Sequence, residues 1–135
     1  MSKGDLALVL HAHLPYVRSA KKGSLEEDWF FQALIECYLP LLESLENSAN
    51  SSEEDPKITI GLSPTLLSLL DDNELKKRFP EWLLLRLNLL NDVPREQRDA
   101  AKYLKNNIES HFNKWIEYEG DLIKRFSELE KKNIV

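Results

Sequence analysis

Leu6-Ala7-Leu8-Val9-Leu10-His11-Ala12-His13-Leu14-Pro15-Tyr16 is the stretch on which the reading of the fold turns. Leu6 to Leu10 is an apolar run without a polar face, bounded by Gly4-Asp5 before it and a His and Pro segment after it. That pattern predicts a strand buried on both sides, as in a parallel sheet. The run is too short for the core of a signal peptide and no cleavage-type segment follows it, so secretion is not expected.

After the strand, Ser24 with Glu27 three residues later forms a capping box, and Glu26, Glu27 and Asp28 place negative charge at the positive end of a helix. Apolar positions from Trp29 to Leu45 continue that helix, with Pro40 expected to kink it or loosen one turn. Asn47 to Pro56 is small and polar and reads as a solvated loop. Lys57 to Leu62 is a second, β-branched strand that runs into Ser63-Pro64, a helix cap followed by proline at the first helical position. A short helix through Leu66, Leu67, Leu69 and Leu70 should stop near Asp71-Asp72-Asn73, and Pro80 should open the next, which carries Trp82 to Leu90. From Pro94 a stripe of Ala101, Leu104, Ile108, Phe112, Trp115, Leu122, Phe126 and Leu129 predicts one helix of roughly 35 residues, with Gly120 as a bend. Trp82, Trp115, Tyr103, Tyr118, Phe112 and Phe126 are read as core, and His111 as structural or surface. Ile134-Val135 looks like the first step of a further strand.

Strands separated by helices imply parallel pairing and an α/β class, with functional groups at the C-terminal ends of the strands. In extended chain alternate residues face one side, so His11 and His13 project together from the mouth of the sheet. Two adjacent imidazoles can bind a divalent metal, hydrogen-bond a polyhydroxylated ligand or transfer protons near neutral pH. Trp29, beside the acidic turn on the same rim, adds a flat face on which a sugar ring could stack, although it serves equally as a core anchor. Tyr16, Arg18 and Ser63 are weaker candidates.

Composition narrows the classes. The 135 residues suffice for one compact domain. A net charge of −5 disfavours a phosphate-backbone binder, so nucleic acid is not an expected partner. Cys37 is the only cysteine, which fits a reducing, cytoplasmic location and excludes a disulfide framework. The densest later apolar run, Trp82 to Leu90, is broken by Arg86 and Asn88, so no membrane span is expected. No phosphate loop, nucleophile elbow or His-Glu-x-x-His motif occurs.

Leu8 to Arg18, Glu26-Glu27-Asp28-Trp29-Phe30, Glu36 to Leu42 and Ile58 to Leu66 together resemble the N-terminal part of glycoside hydrolase family 57, and within it the 1,4-α-glucan branching enzymes. Many members read His-Gln-Pro where this chain has His11-Ala12-His13. The resemblance implies a β-α-β-α portion of a seven-stranded (β/α) barrel, incomplete in this chain, with residues 1–135 as an N-terminal fragment and no second domain. It implies an α-glucan partner (amylose, glycogen or maltooligosaccharide), retention of configuration and no cofactor or metal. His11, His13 and Trp29 would line a sugar subsite. The catalytic Glu and Asp would lie on later strands, so no catalytic residue is expected here and the chain alone should be inactive. Three alternatives stay open: an α-amylase or 4-α-glucanotransferase of the same family, a metal-dependent amidohydrolase-type barrel with zinc on the His pair, and a non-enzymatic protein binding a partner through the Ala101–Leu129 stripe.

Overall fold

The computed structural model describes Gly4 and residues 6–18, 22–51 and 57–135. Its elements alternate as expected for α/β: β1 (Val9–Ala12), α1 (Leu25–Ala33), a π turn (Leu34–Tyr38), α2 (Leu39–Ser51), β2 (Thr59–Leu62), α3 (Pro64–Asp71), α4 (Asn73–Leu89), a 3-10 turn (Arg95–Gln97), α5 (Arg98–Glu117) and α6 (Leu122–Lys131). The molecule is helix-rich, and among the described residues the sheet is a single parallel pair of strands.

β1 pairs with β2 in the register Val9↔Thr59, Leu10↔Ile60, His11↔Gly61 and Ala12↔Leu62. Backbone bonds from Thr59 N–H to the Leu8 carbonyl (3.0 Å) and from Ser63 N–H to the Ala12 carbonyl (3.0 Å) extend the ladder at both ends. The strand therefore lies further along the chain than the apolar run suggested, and His11 is inside it. It is also not buried on both sides: Val9 is 67% exposed and Leu8 52%. Among the described residues no strand flanks the outer edge of β1, while Ile58, Ile60 and Leu62 of the β2 segment pack on the core. On the opposite edge of β2, Ile58 N–H donates to the Ile134 carbonyl at 3.2 Å. Ile134-Val135, expected to begin a further strand, makes this one backbone bond beside β2 and forms no regular strand.

The helix after β1 starts as its cap predicts. Ser24 Oγ accepts from Glu27 N–H at 3.2 Å. Pro40 cannot donate to the carbonyl of Glu36, and its ring crowds that turn. The chain answers with the π turn, where Leu39 N–H reaches back to the Leu34 carbonyl, an i→i+5 bond. α2 then continues through Asn47–Ser51, which corrects the reading of these residues as loop. Leu42 and Leu45 are buried along this helix and hold its earlier turns. Residues 52–56 of the expected loop lie outside the described residues.

Two helix boundaries differ from expectation. α4 begins at Asn73, with Asp72 as its cap accepting from Glu74 N–H (2.8 Å) and Leu75 N–H (3.1 Å), so Pro80 lies inside a helix and does not open one. Leu75, Phe79 and Leu83 repeat every four residues and are almost wholly buried. Burying three large side chains outweighs the ~3 kcal/mol that an interior proline costs. The expected single long helix is two. Glu119 (φ 54°) and Gly120 (φ 68°) adopt left-handed conformations that end α5, and the Asp121 carboxylate restarts the chain as α6 by accepting from Lys124 N–H at 2.9 Å.

Phe31, Phe79, Trp82 and Trp115 form the aromatic centre of the core, with Phe79 and Trp115 edge to face at 4.8 Å. Tyr103, expected in the core, is 71% exposed on α5. Its neighbour Leu104 is also exposed, so the core stripe of α5 runs through Ala101, Ile108, Phe112 and Trp115 without Tyr103.

Candidate functional site at the end of the first strand

The C-terminal ends of β1 and β2 lie side by side, because parallel pairing with Ala12 opposite Leu62 brings them level. His11 is in β1 and His13 follows it, both exposed. Their rings stand with centroids 5.9 Å apart and planes within 10° of each other. The alternation predicted from sequence therefore does place both imidazoles together. Gly61, opposite His11 in the register, keeps the space beside it open: a Cβ there would stand 3.4 Å from His11 Nδ1. Sequence reasoning missed this partner, which only the strand register discloses.

The segment carrying His13 is tied down by the start of α3. Ser63 Oγ accepts from Leu66 N–H (3.3 Å) and lies 3.1 Å from Thr65 Oγ1, which in turn donates to the Leu14 carbonyl at 2.8 Å. Ser63 is buried, with its hydroxyl engaged as a helix cap. Tyr16 is exposed two residues beyond Leu14, and Arg18 pairs with Asp72 at the junction of α3 and α4. Thr65, also unmarked in the sequence reading, adds a side-chain bond that ties the segment after β1 to the start of α3.

Trp29 is half exposed on α1 and makes no ring contact with either histidine. The acidic turn beside it is occupied by structural work. Glu27 is buried, accepts from Gly23 N–H at 3.0 Å and pairs with Arg78. Asp28 accepts from the indole N–H of Trp82 and from Arg86, whose guanidinium lies 5.2 Å from the Trp82 ring centre. Partial burial works against the charge of Asp28, but those two donors outweigh it and hold the carboxyl below its ordinary value. Asp28, Trp82 and Arg86 line a cleft of about 300 Å3 between α1, α4 and α5, together with Leu83, Leu104 and Ile108. This cleft is built from helix faces and shares no lining residue with the strand-end rim.

His111 is on α5 with Nδ1 3.2 Å from the Glu43 carboxylate of α2, a helix-to-helix contact in keeping with a structural reading. Among the described residues no helix is long and apolar enough to cross a membrane.

Comparison with known proteins places this geometry. A family model described as glycosyl hydrolase family 57 matches residues 7–133. A 1,4-alpha-glucan branching enzyme of Thermococcus kodakarensis is 34% identical over 98% of this chain, which spans 20% of that enzyme. Among solved structures, the GH57-type branching enzyme of Pyrococcus horikoshii superposes with a TM-score of 0.85 at 27% identity, over 96% of this chain and 25% of that one. The alpha-amylase AmyC of Thermotoga maritima superposes with a TM-score of 0.83 at 26% identity, over 97% of this chain and 26% of its own. The chain thus spans about a fifth to a quarter of these relatives. With the family matched across nearly its whole length, and the fold superposing on solved members, the chain belongs to glycosyl hydrolase family 57.

Proposed function

We propose that this chain is the N-terminal part of the catalytic barrel of a retaining α-glucan enzyme, and that the enzyme is a 1,4-α-glucan branching enzyme. In that role it cuts an α-1,4 bond and transfers the new end to a 6-hydroxyl. The observation that carries the reading is the pair of exposed, parallel imidazoles at the end of β1 in a family 57 chain. A neutral imidazole donates to a sugar hydroxyl through its N–H and accepts from one through its other ring nitrogen, and Trp29 supplies a half-exposed apolar face for a ring. In this reading His11, His13 and Trp29 bind the α-glucan, Tyr16 borders the same rim, and Ser63 acts on it only through the cap that holds the strand ends.

Retaining transfer uses two carboxyl groups about 5–5.5 Å apart, one as nucleophile and one as acid and then base. Glu27 and Asp28, the carboxylates nearest Trp29 in the chain, are committed to Arg78, Trp82 and Arg86. By the family resemblance the reacting carboxylates belong to later strands of the barrel, and in this reading the chain contributes binding and no chemistry. A second reading, hydrolysis in place of transfer, is favoured by the similarity to the Thermotoga amylase.

Replacing the matching N-terminal segment of the Thermococcus branching enzyme by this chain tests the proposal. The chimaera should form α-1,6 linkages from amylose, detected by debranching analysis, and lose most of that activity with His11→Ala. Reducing ends without new branch points would favour the hydrolytic reading. The chain on its own should leave amylose unchanged by iodine staining, and product above a His11→Ala control would contradict the assignment of the chemistry to later strands.

A further inference from the structure

We infer that His11 and His13 form a two-imidazole chelate for a first-row transition cation such as Cu2+, Ni2+ or Zn2+, taken as an exogenous ligand and not as a resident cofactor. Residues two apart in extended chain project to one face, and here the ring centroids stand 5.9 Å apart; the rings are stacked within 10° of parallel, so both must turn before their in-plane nitrogen lone pairs meet at one cation. Metal–nitrogen bonds of about 2.0–2.1 Å put the centroids of two imidazoles on one cation about 5 Å apart at a tetrahedral angle and about 6.4 Å apart when opposed. The observed separation lies inside that interval, so the rings reach a shared cation by turning about their own side-chain bonds. Both side chains are exposed, and Gly61 beside His11 presents no side chain against the turn.

Neutral imidazole suits these cations and suits Mg2+ or Ca2+ poorly. Among the described residues no group of three or more His, Cys, Asp or Glu side chains converges, so the pair supplies two ligands and water fills the remaining positions. Such a site binds exchangeably. The third histidine, His111, faces Glu43 on a different part of the molecule and provides an internal control. One consequence rests on the proposed saccharide role: ring nitrogens bonded to a cation are not available to sugar hydroxyls, so cation and α-glucan exclude each other at this rim.

The test is a titration of the whole chain with Cu2+ alone, read by the nitrogen hyperfine pattern in electron paramagnetic resonance. One bound equivalent with two imidazole nitrogens is expected. Affinity should fall by at least about tenfold in His11→Ala and in His13→Gln, where the chelate is lost, and stay unchanged in His111→Ala. Equal affinity in all four proteins, loss confined to His111→Ala, or a single-nitrogen pattern would overturn the inference. Circular dichroism on the variants checks that the fold is kept. Repeating the titration with maltoheptaose separates the two claims: a two-nitrogen signal indifferent to the saccharide upholds the chelate and counts against the sugar-binding reading alone.

Discussion

Glu27 in the first turn of α1 is only 1% exposed, and its carboxylate is held by Arg78 of α4 across 51 positions of sequence. This ion pair joins the helix after β1 to the helix after α3, and with them the two strand ends that carry the candidate site. Removing one partner of a buried pair leaves the other uncompensated and costs several kcal/mol. Because Arg78 keeps some contact with water, Glu27→Ala should cost about 2–4 kcal/mol. A urea midpoint within error of the parent protein's would contradict that role.

Gly120 has φ 68°, and a Cβ there would lie 2.8 Å from Trp115 Cζ2. Gly120→Ala combines left-handed strain with a clash against a ring of the core, so it should cost about 2–3 kcal/mol. Gly23 also has positive φ but nothing within 4 Å, so Gly23→Ala should cost only about 1 kcal/mol. Thermal melts of the two variants check the order, and equal losses would show that the Trp115 contact carries no weight.

These positions also show what the sequence discloses. Ser24 with Glu27, and Ser63 with Pro64, are local signals whose meaning needs no neighbour, and both helices start where they indicate. Gly120 marked the break in the last stripe but not its completeness, which depends on Glu119 joining it at positive φ. The interior position of Pro80 was hidden because its compensation is tertiary: Phe79 gains its burial from Phe31 and Trp115, far away in the chain. The run Leu6–Leu10 announced a strand, yet its exposure and its shift to Val9–Ala12 follow from the partner strand and the uncovered outer edge. At the candidate site, strand periodicity alone paired His11 with His13, whereas Gly61 and Thr65 became visible only through register and fold.

Asp28 makes the fold sensitive to acid. A carboxyl held below its ordinary value in the folded state stabilises above the unfolded value of about 3.9 and loses that contribution as pH falls through the folded value. Trp82→Phe removes one of the two donors and keeps the aromatic packing. The variant should be less stable than the parent at neutral pH, with the gap closing below about pH 4. Urea titrations across that interval check this, and a gap independent of pH would refute it.

Ser63→Ala separates a cap from a ligand. The variant should lose about 1 kcal/mol of stability through the open α3 terminus while its maltooligosaccharide affinity changes little. Lost affinity at unchanged stability would make the hydroxyl a direct sugar contact.

Whether the paired imidazoles at the end of β1 receive α-glucan is decided by following the three histidine ring signals during a maltoheptaose titration by nuclear magnetic resonance. The account predicts saturable shifts for His11 and His13, with His111 stationary against Glu43. Stationary His11 and His13 signals at saturating saccharide, or a response confined to His111, would contradict it.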